Sequence, residues 1–131
     1  MQVLIMMQGA SGSGKSFVAN ALQLATGAEI CSTDYYHFVD GVYKFQPEKL
    51  GFFHKRNFER CQALLREGKS VIVDNTNIEA AHAKPYIEFA KSLGVAVQVV
   101  RVSGRFGNVH GVPAEKVEQM RTRMQDLESL L

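Results

Sequence analysis

Gly9-Ala10-Ser11-Gly12-Ser13-Gly14-Lys15-Ser16 places three glycines just ahead of a lysine and a serine. Glycine loses more conformational entropy on folding than any other residue, so such a run marks backbone that must approach something closely. The spacing fits G-x-x-x-x-G-K-[ST], in which backbone N–H groups point inward around phosphate oxygens. A helix that starts there presents its free N-terminal donors and positive dipole end to the same anion. On this pattern Gly9, Ala10, Ser11, Gly12, Ser13, Gly14, Lys15 and Ser16 bind nucleotide phosphates. Lys15 bridges the β- and γ-phosphates, and the Ser16 hydroxyl ligates Mg²⁺. An apolar strand leads in and a helical pattern leads out, which is the context the motif requires.

Two carboxylates follow apolar runs of their own. Asp74 closes "VIVD" and Asp34 lies in "CSTDYYHF". In open α/β sheets ligands bind outside the carboxyl ends of the strands, and both acids fall there. Asp74 reads either as an acid that holds Mg²⁺ through water or bonds Ser16, or as a turn residue. Asp34 reads either as a turn or cap residue or as the base for an acceptor. A hydroxyl acceptor has a proton for Asp34 to take, whereas a phosphate acceptor needs no base and would be repelled. Asn77 suits the cap of the helix that follows.

These residues need a frame. "QVLIMM" (2–7) reads as a buried parallel strand, and Val18, Ala21, Leu22 and Ala25 mark one face of a helix beginning at Lys15 and stopping at Gly27. "AEICS" is a second strand, and 34–45 is an aromatic-rich connection. Pro47 opens and Gly68 closes a long helix. "SVIVD" (70–74) is a third strand. A helix over 79–92 is expected to break and restart at Pro85. "GVAVQVVRV" (94–102) is a fourth strand, a loop follows, and the last helix starts at Pro113 with Val117, Met120, Met124 and Leu127 as its buried stripe. Strands alternating with helices imply a parallel sheet flanked on both faces, with right-handed crossovers.

At 131 residues and 46% hydrophobic content, the sequence suits one domain with a real core. Cys31 and Cys61 are too few for a disulfide scaffold and suit a reducing compartment. The first residues lack a basic leader, and their apolar run is too short to span a bilayer, so a cytoplasmic location is expected and no membrane. A net charge of +2 permits an anionic partner without marking a long nucleic-acid track. Lys55, Arg56 and Arg60 cluster on the long helix and suit either a solvated face or contacts to a nucleic-acid backbone.

Taken together, "GASGSGKS", "STDYY", "DGVYKFQPEKLGFFHKRN", "VIVDNTN", "KPY" and "NVHGVPAEKVEQM" resemble the small P-loop kinases of the phage polynucleotide 5′-hydroxyl kinase superfamily. The likeness is strongest to its NEDD4-binding-protein-2-like ATPase/kinase branch. The resemblance implies an α/β, three-layer P-loop NTPase fold over 1–131, with sheet order 2-3-1-4 and a small lid at about 103–112. It implies ATP and Mg²⁺ as cofactors, and an acceptor hydroxyl, foremost the 5′-hydroxyl of a nucleic-acid end. A small-molecule hydroxyl kinase and a non-catalytic ATP-binding module are the alternatives. So compact a kinase would suit a phage genome.

Carried over by motif, Lys15 and Asp34 are catalytic, Ser16 and Asp74 hold the metal, and His54, Asn57, Thr76 and Asn77 lie near the acceptor. Tyr36, with Tyr35 and Tyr43, suits an acceptor wall. One departure stands out. Family members carry an arginine just before the lid's Asn-x-His-x-Val-Pro stretch, and here that position is Gly107. Arg105 is the nearest substitute, swung in by Gly104 and Gly107, with His110 as a further lid contact.

Overall fold

The computed structural model of the chain describes residues 1–107 and 111–131. Strand β1 (Val3–Gln8) runs into the glycine-rich loop, and α1 (Lys15–Thr26) begins where the loop ends. After β2 (Glu29–Cys31), a 3₁₀ turn at Thr33–His37 leads to a hairpin of β3 (Phe38–Val39) and β4 (Val42–Tyr43). Then come α2 (Leu50–Arg66), β5 (Val71–Val73), α3 (Ala80–Ser92), β6 (Ala96–Arg101) and α4 (Ala114–Arg123).

The main sheet is parallel, ordered β2-β5-β1-β6. For the four strands of this sheet, numbered without the hairpin, this is the expected 2-3-1-4. Side chains alternate across a strand, so β1 feeds two cores. Leu4 and Met6 join Val71 and Val73 against Leu65 of α2 and Tyr86 and Ile87 of α3. Ile5, Met7 and Ile72 face Val18, Ala19 and Leu22 of α1. Helices on both faces give the three layers of an α/β P-loop fold. Cys31 and Cys61 are both free and buried, and burial pushes both thiols above their ordinary range. Among the described residues no helix is long and apolar enough to cross a membrane.

Four local expectations need correction. The buried face of α1 is Lys15, Val18, Ala19 and Leu22, while Ala21 and Ala25 face solvent. The aromatic connection holds a hairpin, turned by Asp40 at φ 51° and Gly41 at φ 79°. Both positive values suit the primed turns that match strand twist, and Asp-Gly is their sequence signal. Helix α3 runs through Pro85 unbroken. One hydrogen bond is lost there, but Ala83, Tyr86, Ile87 and Ala90 are all buried along one side, and packing of that face holds the helix together. Finally, α4 buries no residue fully, and the fully buried Leu127 lies past its end.

Candidate active site

The glycine-rich loop is built by close approach. A Cβ at Gly9 would lie 2.6 Å from both the Ser13 hydroxyl and the Val102 carbonyl. Gly12 and Gly14 take φ of 79° and 89°, the left-handed region that suits glycine. The Gly9 amide donates to the Thr76 carbonyl (3.1 Å), joining this loop to the one after β5. The Phe106 amide donates to the Gly12 carbonyl (2.7 Å), and Gly104 has no room for a Cβ, which would meet the Ser13 carbonyl at 2.5 Å. Gly104 is thus a packing glycine here, with its carbonyl accepting from Arg121 (2.8 Å).

Asp74 sits at the carboxyl end of β5, 3% exposed. Its Oδ1 takes the Lys15 ammonium at 3.0 Å and its Oδ2 accepts from the Ser16 hydroxyl at 2.9 Å. One buried carboxylate therefore orients both motif side chains, and Asp74 is more than a turn residue. A cavity of about 150 Å³ lies over the loop, lined by Gly14, Lys15, Ser16, Asp34, Thr76 and Gly107 among others.

A second cavity of about 420 Å³ adjoins it. Ser11, Asp34 and Thr76 line both, so Asp34 stands at the boundary between phosphate loop and second chamber. Tyr43, Phe45 and His54 form walls of that chamber, and Lys116 and Met120 of α4 face it from across. The Asn75 amide oxygen accepts from the Thr33 backbone (2.9 Å), fixing the 3₁₀ turn that carries Asp34 against the loop after β5. Sequence reasoning does not name Asn75 or Lys116 as site residues, although the run "DNTN" was an available signal for Asn75, and it places Met120 only in a core stripe of the last helix.

Ser16 and Asp74 are hard oxygen donors lying side by side. Among the described residues no group of three or more His, Cys, Asp or Glu gathers. One or two protein oxygens completed by water and phosphate is the donor set Mg²⁺ takes, so the site fits that ion.

Several expected site residues lie elsewhere. Asn57 is fully buried, with its amide donating to the Tyr86 hydroxyl (3.1 Å), and does not line the second cavity. Tyr36 stacks on Phe53 (5.7 Å) and lines neither cavity. Arg105 is tied to Glu118 of α4 at 2.7 Å and also lines neither, so it does not replace the missing lid arginine in this conformation. Arg60 bonds the Ile30 carbonyl and pairs with Glu29, which removes it from the basic cluster. His110 falls outside the described residues.

Asn77 neither caps α3 nor lines a cavity. The cap position is Glu79, and Asn77 is 3% exposed at φ 48°. Its amide donates to the Met7 carbonyl (2.7 Å), and its own carbonyl accepts from Gln8 (3.0 Å). It locks the Asp74 loop onto β1. Asn77→Ala is expected to destabilise the fold by about 1–3 kcal/mol, read as a lower urea midpoint. An unchanged midpoint would assign no role to this lock.

His54 shares a 3.0 Å hydrogen bond with the Thr33 hydroxyl. Desolvation at the chamber wall lowers its pKa, nearby His82 adds to the effect, and Asp34 opposes it. The folded chain then binds this proton less readily than the unfolded one, so stability rises with pH up to about 6.5 and falls below it. The melting temperature is expected to drop on acidification below pH 6.5, and to drop less in His54→Asn. Equal acid sensitivity in the variant would contradict this.

A family described as an AAA domain matches residues 4–105. The chain belongs to that family. The human NEDD4-binding protein 2 is 33% identical over 136 residues, covering 94% of this chain. The chain spans only 8% of that relative's length. In the solved Pnkp1/Rnl/Hen1 RNA repair complex, one chain superposes with a TM-score of 0.70 at 19% identity, covering 99% of this chain and 46% of that one. A gluconokinase from Sinorhizobium meliloti gives 0.64 at 18%, covering 95% and 75%. The Mycobacterium tuberculosis APS kinase CysC, in complex with AMPPNP and APS, gives 0.56 at 19%, covering 90% and 67%. These likenesses establish the P-loop kinase fold. For an AAA-domain chain of this fold, the Lys15–Asp74–Ser16 cluster stands where strand, loop and helix meet.

Proposed function

We propose that the chain is an ATP-dependent phosphotransferase that moves the γ-phosphate to a hydroxyl, foremost the 5′-hydroxyl of a nucleic-acid end. The carrying observation is that Asp34 borders both the phosphate-loop cavity and the second chamber. A donor in the first and an alcohol in the second would meet at that carboxylate. The acceptor oxygen attacks the γ-phosphorus, its proton passes to Asp34, and the bond to the leaving ADP oxygen breaks. Lys15 turns from Asp74 to the phosphates as they arrive, and the loop amides hold them in line. Mg²⁺, held by Ser16 and Asp74, would supply charge neutralisation on the phosphates. Two buried free thiols suit a reducing, cytoplasmic setting.

Likeness to the RNA repair complex favours a nucleic-acid acceptor. The chamber's volume of about 420 Å³ suits a single sugar or nucleotide unit, and so also favours a small-molecule hydroxyl. Labelled γ-phosphate supplied as ATP with Mg²⁺ to a panel of 5′-hydroxyl oligonucleotides, nucleosides and sugars separates the two. Label on oligonucleotides is the expected outcome, and label confined to small molecules gives the second reading. Loss of oligonucleotide binding with rising salt would accompany the first and not the second.

A further inference from the structure

The hairpin and the first turns of α2 carry an aromatic surface that phosphoryl transfer does not use. Phe38, Phe45 and Phe52 are 47%, 56% and 57% exposed. Large rings left in water on neighbouring elements and joined beneath by buried rings mark an interaction surface. This patch is continuous with the second chamber. Phe45 and Tyr43 line the chamber, and Phe38 meets Tyr43 edge-on at 5.5 Å. Buried His37 bridges Phe45 (5.0 Å) to Phe53 (4.8 Å), and Phe53 lies 6.1 Å from Phe52.

The segment that carries these rings has more cations than anions. Lys44, Lys49, Lys55 and Arg56 fall in the same segment as Asp40 and Glu48. None of the four cations joins an ion pair among the described residues. The Arg56 guanidinium is held 5.9 Å from the Tyr36 ring and 5.7 Å from Phe52, a cation fixed in place by aromatic faces. Exposed rings interleaved with unpaired cations, leading into a cleft, are the composition that binds single strands: bases stack on the rings and phosphates meet the cations. A duplex offers no free base faces. An apolar protein surface would match the rings and leave four cations unanswered.

We propose that this face is a single-strand tract, which receives the nucleotides adjoining the acceptor end as that end enters the second chamber. It rests on the nucleic-acid reading of the acceptor and adds the substrate class, a single-stranded rather than fully paired end.

The test is fluorescence anisotropy with labelled single-stranded and duplex oligonucleotides of about a dozen nucleotides, against wild type, Phe52→Ala, Phe52→Tyr and Arg56→Ala. Wild type is expected to prefer the single strand. Phe52→Ala should weaken binding by about tenfold, and Phe52→Tyr, which keeps a stacking face, should restore it. Arg56→Ala should also reduce the salt slope by about 0.7, the value for one lost phosphate contact on a single strand. Single-strand affinity unchanged in both alanine variants, or a wild type that prefers duplex, would overturn the tract and leave the face to a protein partner. Transfer to a 5′-hydroxyl mononucleotide is measured in parallel. Strand binding that follows the substitutions without any transfer removes the phosphotransfer reading alone. Transfer with indifferent strand binding removes the tract alone.

Discussion

Lys15→Met is expected to lower phosphoryl transfer by on the order of a thousandfold, the scale of losing one preorganised charge aimed at the reacting group. It is also expected to destabilise the free protein. The Lys15 ammonium lies 3.0 Å from Asp74, and the two side chains are 10% and 4% exposed. Removing one member of a buried pair leaves the other as an uncompensated charge, at a cost of about 3–5 kcal/mol. The Ser16 hydroxyl still bonds Asp74, which puts the expected loss at the low end of that range. Adding Asp74→Asn to Lys15→Met removes the stranded charge. The double variant should therefore recover most of the stability and none of the transfer. Urea unfolding and a single-turnover assay read the two effects separately. Full stability in Lys15→Met alone would contradict the pairing described for the free state.

Asp34→Asn is the second large effect. The substitution keeps size and removes the capacity to take a proton. A positioned general base contributes about 10²–10⁴-fold, and a loss of that size is expected in the transfer step. ATP affinity should be unchanged, because the phosphate contacts assigned to the loop and Lys15 are untouched. The contrast matters: Lys15→Met should weaken nucleotide binding and transfer together, whereas Asp34→Asn should separate them. Equilibrium binding of a non-hydrolysable ATP analogue, run beside the transfer assay, makes the distinction.

The placement of the phosphate loop, Asp74 and Asp34 was legible because each depends on local order. A strand, then a turn, then a helix sets where the next side chain falls, and parallel strands put all three ends on one edge. What depended on distant packing was not legible. His54 and Asn57 are spaced as neighbours on one helix face, yet His54 lines the chamber while Asn57 is sealed under Tyr86 of α3. The path of α2 decides this, since its first turns border the cleft and the next is covered. Asn77 looked like a cap because nothing in "DNTN" announces a left-handed residue whose amide reaches β1. Arg105 was the nearest cation to the missing lid arginine in sequence. In space it pairs with Glu118, from a helix thirteen residues further on. Pro85 by itself predicts a break because the helix rule is local, while the buried face that holds α3 together is not. The hairpin had a sufficient signal in Asp40-Gly41, masked by flanking strands of two residues each, too short to show alternation.

The most direct measurement of the central claim is single-turnover transfer of labelled γ-phosphate from ATP to a 5′-hydroxyl single strand with Mg²⁺, comparing wild type with Asp34→Asn. Transfer by wild type, slowed at least a hundredfold in the variant at equal nucleotide occupancy, is the result this account predicts. Equal rates in the two proteins, or no transfer by a wild type that binds ATP, would contradict it.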